Sequence, residues 1–231
     1  GSTFKPFVLS AAMEYGIRDP DLPPEQNEQQ RTIVSPKSIY DGDNKLKVKN
    51  YDGSIWRNEK DEEWHQRNDG DESKGDIDLR TAMQFSTNTP YIQLAMDVGL
   101  DKVRQTAEAA GIKKDNLPGW RSPSFALGTS APSAIRLAGA YATYAASGKQ
   151  ADPYSVESIE SRDGEVWNHD SVAKVKQGIP ADVADNVTDV LRTVIQEGTG
   201  TTAKPVDAQW PAAGKTGTTD GNRSAWFAGY T

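Results

Sequence analysis

The stretch Gly1-Ser2-Thr3-Phe4-Lys5-Pro6-Phe7 opens the chain and begins an apolar segment with the period of a helix. Ser2 is of the residue type that caps helix N-termini, Pro6 fits a first turn, and Gly16 is a natural end. The apolar residues of the segment recur at spacings typical of one helix face: Phe7, Val8, Ala11, Ala12 and Tyr15. The sequence therefore predicts a helix that begins near Ser2 and stops before Gly16.

Ser2 and Lys5 are three residues apart, so a helix places the hydroxyl and the amine on one face, about 5–6 Å apart at their Cβ atoms. A neutral lysine can take the proton of a neighbouring serine, and burial or a second cation lowers a lysine pKa in that direction. Taken alone, the pair is more often a capping serine beside a lysine that extends to solvent. Whether the Ser2–Lys5 pair indicates catalysis therefore depends on further motifs elsewhere in the chain.

The composition narrows the classes of function. The 231 residues suffice for one large domain or two small ones. No residue is cysteine, which excludes disulfides and thiolate metal sites, and His65 and His169 are too few and too distant to indicate a metal site or a Ser-His-Asp triad. The net charge of −7, without a basic run, argues against nucleic acid as a partner. We expect no metal and no cofactor, and no apolar run reaches membrane-spanning length.

Further along, polar segments alternate with helical and strand patterns. Residues 17–49 are predicted to be loop with short strands near 32–34 and 45–49. Residues 50–75, rich in charge, turn residues and isolated tryptophans, are predicted to be a long surface excursion packed at a few points. Helices are predicted over 79–85 with a cap at Asp78, from Pro90 to Gly99, over 101–110, over 133–146, and over 183–195 with a cap at Asp182. Hairpins are predicted about Arg162-Asp163-Gly164 and about Asp220-Gly221-Asn222, which joins strands over 212–219 and 224–230.

Two further short motifs stand in these elements. Ser86-Thr87-Asn88 lies in a turn between two predicted helices, where the simplest interpretation is a break with capping side chains. Lys215-Thr216-Gly217 lies in a predicted strand. In that strand Lys215 and Gly217 face one side, and Thr216 and Thr218 face the other.

The motifs Ser2-Thr3-Phe4-Lys5, Ser86-Thr87-Asn88 and Lys215-Thr216-Gly217 follow one another in the order known from penicillin-binding proteins and class A β-lactamases. Each is weak alone, but three in order, at a helix start, an interhelical turn and a strand, form a specific signal. The chain resembles the transpeptidase domain of a bifunctional (class A) penicillin-binding protein, most closely over 1–7, 79–88, 124–148 and 212–230. This resemblance implies an α/β fold of the α+β type, with a helical subdomain and an antiparallel sheet.

The resemblance also implies a role for each motif residue. Ser2 would attack the carbonyl of a D-Ala-D-Ala peptide and form an acyl-enzyme, with Lys5 as its base. Ser86 would relay the proton towards the leaving amine, and Asn88 would bind the substrate backbone and hold Lys5. Lys215 would supply positive potential that lowers the pKa of Lys5 and attracts the substrate carboxylate.

The strand would complete the substrate site. The resemblance implies that the hydroxyls of Thr216 and Thr218 bind the substrate carboxylate, with Gly217 between them in the binding strand. The backbone N–H groups of Ser2 and Thr218 would form an oxyanion hole.

The same resemblance implies the setting of the domain. Its partners would be peptidoglycan stem peptides and β-lactam antibiotics, at the extracytoplasmic face of the bacterial plasma membrane. A membrane anchor and an upstream glycosyltransferase domain would lie in segments that this chain does not include. Since the family's domain has strands before the serine and a strand and helix after position 230, we expect residues 1–231 to be one incomplete transpeptidase domain. Exposed sheet edges and a partly uncovered first helix are expected to follow from this.

Other functions share these motifs. A D,D-carboxypeptidase differs mainly in using water as the acyl acceptor, and a penicillin-sensing receptor domain would acylate without turnover. A catalytically silent scaffold fits less well, because all three motifs are intact. A class A β-lactamase is disfavoured, because no glutamate here has an asparagine four residues further on.

Overall fold

Helices and short antiparallel strand pairs make up the fold. A computed structural model describes residues 1–130, 132–168, 174–219 and 224–231. The helices are α1 (Lys5–Tyr15), α2 (Leu79–Gln84), α3 (Asn88–Val98), α4 (Leu100–Ala109), α5 (Ala134–Ala145), α6 (Ala181–Gln196) and α7 (Lys204–Asp207). The predicted turn Asp220-Gly221-Asn222 and His169 lie outside the described residues.

The strands are mostly short and pair in twos. They are β1 (Ile17–Arg18), β2 (Arg31–Thr32), β3 (Ile39–Asp41), β4 (Leu46–Lys47), β5 (His65–Gln66), β6 (Asp76–Asp78), β7 (Lys149–Gln150), β8 (Ser158–Glu160), β9 (Val166–Asn168), β10 (Lys176–Gln177), β11 (Ala213–Thr218) and β12 (Ala225–Tyr230). Within the described chain, the antiparallel pairs are β1–β2, β3–β6, β4–β5, β7–β10, β8–β9 and β11–β12.

Helix α1 lies at the centre of the fold. Phe7 and Ala11 are fully buried, and so are Lys5 and Ser10 on the remaining faces. Helices α3, α4 and α6 contact α1, and a helix surrounded in this way is buried all round rather than along one stripe. Over residues 5–12 the prediction of a single apolar face was therefore wrong, and the apolar residues expected to lose cover are buried, whereas Met13, Glu14 and Tyr15 at the helix end are half-buried.

The start of α1 also differs from the prediction. Ser2–Phe4 forms a 3₁₀ turn that runs into the helix, and Ser2 makes no side-chain capping bond. Pro6 does lie in the first turn of α1, and Gly16 ends the helix with φ of 74°. Glycine suits this end because that backbone conformation is costly for residues with a Cβ atom.

Helix α6 packs its buried face against β11. That face consists of the predicted periodic residues and Ala184, which together are Val183, Ala184, Val187, Val190, Leu191, Val194 and Ile195. Asp182 lies inside the first turn and does not cap the helix, which begins after Pro180. Strand β11 runs antiparallel to β12 with Lys215 opposite Ala228, as the predicted hairpin requires.

Residues 17–78 carry more structure than the predicted loop and excursion. Strands β4 and β5 pair within this segment, and Trp56 and Trp64 pack edge to face with ring centroids 6.0 Å apart. Val48 is buried against Ile92 of α3. Most of residues 50–75 are exposed or half-buried, and the segment packs at a few points, through Trp56 and Trp64 and through the bonds of Asn68 to α3, as predicted.

The remaining predicted elements agree with the structure to within a few residues. Asp78 caps α2, its Oδ1 accepting the N–H of Thr81 at 2.7 Å. Helix α3 begins at Asn88, two residues before Pro90, and ends at Gly99 as predicted. Helices α4 and α5 and the β8–β9 hairpin lie where the patterns put them. No helix in the described part of the chain has the length and apolar character needed to cross a bilayer.

Candidate active site

The three sequence motifs meet at one cleft of about 870 Å³. The turn before α1 contributes Ser2, the α2–α3 turn contributes Ser86 and Asn88, and β11 contributes Thr216 and Thr218; residues 64–71 form a further wall. Lys5 and Ser86 are 81 residues apart in the chain, and Ser86 and Lys215 are 129 apart. The fold therefore brings together three motifs that are far apart in the chain and that were grouped in the sequence analysis by their order alone.

Ser2 and Lys5 occupy one turn. The backbone N–H of Lys5 donates to the carbonyl oxygen of Ser2, which keeps the two residues adjacent. Within the described residues, the Ser2 hydroxyl has no hydrogen-bond partner, and the Lys5 amine donates to other groups. The Ser2 hydroxyl is therefore unpaired among the described residues at the cleft, and the amine of the neighbouring Lys5 is hydrogen-bonded to other groups.

Lys5 is fully buried and its amine lies among acceptors. It donates to the carbonyl oxygen of Ser86 at 2.6 Å, to Asn88 Oδ1 at 2.8 Å, and at longer range to Ser86 Oγ at 3.3 Å. Burial lowers the pKa of Lys5 well below its usual value, the charge of Lys215 lowers this pKa further, and Asp69 opposes both. A lysine in this environment can be neutral at ordinary pH and can accept a proton.

Ser86 ends α2 in a left-handed conformation, with φ of 58°. The N–H of Ser86 donates to Met83 O and that of Thr87 to Ala82 O, the two bonds of a Schellman motif. Glycine is the usual residue at such a position, and a residue with a Cβ atom costs on the order of 1 kcal/mol there. Serine at this position supplies a hydroxyl that glycine lacks.

Lys215 reaches the same hydroxyl from β11. Its amine donates to Ser86 Oγ at 2.8 Å and to the carbonyl oxygen of Thr216 at 3.1 Å. The side chain is fully buried, and this burial lowers the pKa of Lys215 to about 7. The Ser86 hydroxyl therefore lies between two buried lysine amines, an arrangement suited to passing a proton.

Gly217 lets β11 pass close to the Ser2 turn. A Cβ atom on Gly217 would lie 3.0 Å from Thr3 Cγ2 and 3.4 Å from the Ser2 nitrogen. Strand β11 alternates as predicted, with Lys215 and Gly217 buried and Thr216 and Thr218 more exposed. Thr216 and Thr218 line the cleft.

Two residues at the cleft had no assigned role in the sequence interpretation. Thr199 Oγ1 lies 2.6 Å from Thr216 Oγ1. Asn68 is buried and accepts hydrogen bonds from the backbone of Asn88 and Thr89. Both residues stand in turn-rich stretches, where threonine and asparagine are ordinary, so local sequence carries no signal for them.

The ionisable groups that line the cleft include His65, Asp69 and Asp71. Among the described residues, no group of histidine, aspartate and glutamate side chains is arranged to hold a metal ion. His65 lines the cleft, and its Nε2 lies 3.5 Å from Oε2 of Glu63, two residues earlier in the chain.

The chain matches a known family over most of its length. Residues 38–231 match the family profile described as Penicillin binding protein transpeptidase domain. This range includes Ser86, Asn88 and Lys215 and begins after Ser2 and Lys5. The chain is 30% identical over 234 residues to penicillin-binding protein 1A of Neisseria meningitidis serogroup A, covering 100% of this chain and 26% of that protein.

Other relatives and solved structures agree. Penicillin-binding protein 1A of Pseudomonas aeruginosa is 27% identical over 279 residues, covering 100% of this chain and 30% of that protein. The penicillin-binding protein PonA1 of Mycobacterium tuberculosis has a TM-score of 0.71 and 28% identity, over 100% of this chain and 57% of that chain. Penicillin-binding protein 1A of Haemophilus influenzae has a TM-score of 0.77 at 21% identity, over 100% of this chain and 36% of that chain, and shows the shared fold.

The chain spans 26% to 30% of the length of the two curated relatives named above. Profile, relatives and fold agree with the three motifs at the cleft, and the chain therefore belongs to the transpeptidase domains of the class A penicillin-binding proteins.

Proposed function

We propose that this chain is a serine D,D-transpeptidase that cross-links peptidoglycan stem peptides through an acyl-enzyme on Ser2. The same serine would be acylated by β-lactam antibiotics. One observation carries the proposal: two buried lysine amines converge on the Ser86 hydroxyl, beside the free hydroxyl of Ser2 in the cleft. Such a group of residues serves acyl transfer, since it offers a nucleophile, a base and a proton path.

In the acylation step, neutral Lys5 takes the proton of Ser2, and Ser2 Oγ attacks the carbonyl carbon of the penultimate D-alanine. The backbone N–H groups of Ser2 and Thr218 stabilise the oxyanion, and a donor of this kind contributes about 2.7–4 kcal/mol in comparable acyl transfers. The close approach of Gly217 to the Ser2 nitrogen supports this pairing, because it brings the strand that carries Thr218 alongside the Ser2 turn.

The leaving group needs a proton. The Ser86 hydroxyl passes a proton from the lysine pair to the amine of the terminal D-alanine as the C–N bond breaks. The hydroxyls of Thr216 and Thr218 hold the substrate carboxylate, Lys215 supplies positive potential, and Asn88 binds the substrate backbone. An amine of a second stem peptide then attacks the ester carbonyl, and Ser2 recovers its proton as the C–O bond breaks.

One solved relative supports the proposed binding of β-lactams. PonA1 of Mycobacterium tuberculosis has been solved in complex with penicillin V, and that chain is 27% identical to this one with a TM-score of 0.69. We place residues 1–231 as a transpeptidase domain at the extracytoplasmic face of the plasma membrane. In the whole protein, we expect a membrane anchor and a glycosyltransferase domain upstream.

The test is covalent labelling. A fluorescent penicillin should label the protein to one equivalent, and peptide mass mapping should place the adduct on Ser2. Replacing Ser2 with Ala should abolish the label, and Lys5→Arg should be nearly as damaging, because arginine cannot act as a base. Ser161→Ala, in the exposed β8–β9 hairpin, is the matched control and should label like the wild type. A label that persists on another serine in Ser2→Ala would overturn the assignment.

Product analysis separates the alternatives. With a D-Ala-D-Ala peptide and an amine acceptor, a transpeptidase releases D-alanine and forms the coupled peptide. Release of D-alanine with only the free acid as product would instead indicate a carboxypeptidase. A protein that is labelled on Ser2 but turns over neither peptide would be a penicillin-sensing receptor domain.

A further inference from the structure

Asn68 lies in the cleft wall formed by residues 64–71 and connects the 42–72 segment to α3. The Asn68 side chain donates through Nδ2 to the carbonyl oxygens of Gly42, at 2.8 Å, and Glu72, at 3.0 Å. Its backbone N–H donates to Asn44 Oδ1 at 2.9 Å. These three bonds fix Asn68 within the 42–72 segment, independently of its contacts with α3.

On the helix side, Asn68 Oδ1 accepts the backbone N–H of Asn88 at 3.0 Å and that of Thr89 at 3.1 Å. The N–H groups in the first turn of a helix have no partner within the helix. Pro90 follows without an N–H, and Thr87 before the helix makes no side-chain capping bond. Asn68 thus caps α3 from 20 residues upstream.

The neighbouring Arg67 fixes the direction of the Asn88 amide. Asn88 Nδ2 donates to the carbonyl oxygen of Arg67 at 3.0 Å, and Asn88 Oδ1 accepts from the Lys5 amine at 2.8 Å. Because an amide has its donor and acceptor on opposite sides, holding Nδ2 on Arg67 turns Oδ1 towards Lys5.

We propose that Asn68 is a positioning residue for acylation, which holds Asn88 so that its side-chain oxygen stays on the amine of Lys5. Asn68 acts through two connections: its own oxygen caps the backbone of Asn88, and its fixed place in the loop holds the Arg67 carbonyl against the Asn88 amide. This inference rests on the proposed function, in which Lys5 is the base for Ser2.

The residue type fits this position closely. Asparagine offers one acceptor for the helix and two donors for the carbonyls of Gly42 and Glu72, and all of these groups are used. Aspartate keeps the acceptor side but has no donors, whereas alanine loses both. The pair of variants therefore separates the contact with α3 from the contacts with the loop.

The experiment compares Asn68→Ala and Asn68→Asp with the wild type and with Asn58→Ala. Asn58 is a matched control, because its Oδ1 also accepts two backbone N–H groups, those of Lys60 and Glu62, in the same segment but away from the cleft. The first measurement is the acylation rate constant with a labelled penicillin across pH, at a temperature where every variant is folded by circular dichroism.

We expect Asn68→Ala to lower the acylation rate about tenfold to a hundredfold, the size of effect that small misplacements of reacting groups produce. The acid limb of its pH profile should also move to lower pH, because loss of the Asn88 acceptor removes a hydrogen bond that favours protonated Lys5. Asn68→Asp, which keeps the acceptor for α3 but loses the donors to the loop, should recover part of the rate, and Asn58→Ala should match the wild type. A residue that only stabilised the fold would change the melting temperature without moving the limb.

Two measurements without substrate decide the inference even if the wild type is not labelled at Ser2, an outcome that would reject the proposed function. They are the hydrogen exchange of the Asn88 and Thr89 amides and the titration of Lys5 followed by NMR. In Asn68→Ala the two amides should exchange faster and Lys5 should titrate at lower pH. Unchanged exchange and unchanged titration in Asn68→Ala, or equal changes in Asn58→Ala, would overturn the inference.

Discussion

Ser86 adopts a costly backbone conformation, and its hydroxyl lies between two buried lysine amines. Its left-handed backbone completes the Schellman motif of α2, and its hydroxyl lies between the amines of Lys5 and Lys215. Glycine would relieve the backbone but would leave both lysines without this partner. Strained residues of this kind cluster at functional sites, where the surrounding structure determines their conformation.

Lys215 gives the site a dependence on pH. Burial lowers its pKa to about 7, so the side chain is a cation below that pH and neutral above it. If the cation attracts the substrate carboxylate, the second-order acylation rate constant with a penicillin should fall as the pH rises through about 7. This constant reports groups of the free enzyme, which is the state described by the structure.

Lys215→Arg provides the check, because arginine keeps its charge across the accessible range. The alkaline limb should disappear from the profile measured between about pH 5.5 and 9, whatever the absolute rate of the variant. A limb that persists at the same pH in Lys215→Arg would assign the titration to another group.

Among single residues, the sequence analysis named the cleft residues that belong to a short motif. It did not name those that reach the cleft only because of the fold. Ser2, Lys5, Ser86, Asn88 and Lys215 were named from their order and spacing, and the fold gathers them at one cleft. Asn68 and Thr199 were not named as site residues, because their partners lie 20 and 17 residues away in the chain. Nothing local distinguishes them from other asparagines and threonines in turns.

Among the elements, α3 connects the cleft to the β1–β2 pair. Its N-terminus is capped by Asn68, and its last carbonyls accept bonds from two arginines of the β1–β2 pair. Arg18 Nε donates to Asp97 O at 3.2 Å, and Arg31 Nη1 donates to Val98 O at 3.0 Å. Cations at a helix C-terminus also suit the direction of the helix dipole.

Asp97 of α3 is a largely buried carboxyl group that lowers stability when it is ionised. Burial raises its pKa to about 6, although Gln93 and Tyr40 donate hydrogen bonds to its carboxylate and lower that pKa. The folded protein therefore binds this proton more tightly than the unfolded chain, and the contribution of Asp97 to stability is lost as pH rises through about 6. Above that pH, the folded state bears the cost of a buried charge.

Asp97→Asn should consequently stabilise the protein relative to the wild type at neutral pH and much less at about pH 4. A pKa raised by about two units corresponds to at most about 3 kcal/mol of unfolding free energy. Urea unfolding at about pH 4 and pH 7.5 would measure the change in the difference between the two proteins. Asp163→Asn, in the exposed β8–β9 hairpin, should show no such change, and an equal response of both variants would rule out a special role for Asp97.

The elements also differ in how far the sequence determines them. Helices α3, α4, α5 and α6 follow from periodicity and from end signals such as Gly99, and each lies within a few residues of its predicted place. Of the short strands, β2 and β4 lie near the predicted strands at 32–34 and 45–49, whereas β1, β3, β5 and β6 were not predicted, because two or three residues hold no period of their own. Strands β1, β3 and β5 contact α3, and such contacts between distant segments cannot be read from local sequence.

The whole molecule is arranged around α1, which is the reason for its unusual burial. Helix α1 carries Lys5 at its first position, α3 presents Asn88 to it, and α6 supports the strand that bears Lys215. Residues from distant parts of the chain meet at the cleft because these elements pack around α1. Amphipathic patterning alone could not predict this, since it assigns each helix one buried face and α1 has no exposed one over residues 5–12.

Phe7 tests this arrangement. Its ring is fully buried in α1, 5.1 Å from the ring of Phe4 and 5.8 Å from that of Tyr144 on α5, measured between centroids. Removing a buried phenylalanine ring typically costs about 3–5 kcal/mol, because transfer free energy is lost and a cavity remains. Phe7→Ala should lower the free energy of unfolding by that amount.

The control is Ile135→Ala on α5, where the isoleucine is 59% exposed. Truncating a surface side chain usually changes stability by no more than about 0.5 kcal/mol, so this variant should unfold like the wild type. Urea denaturation monitored by circular dichroism gives both values, with equal m-values as the sign that the same two states are compared. Because α1 contacts α3, α4 and α6, the Phe7→Ala loss should appear as one cooperative transition at lower urea. A separate early transition, or a loss no larger than that of Ile135→Ala, would contradict the central position of α1.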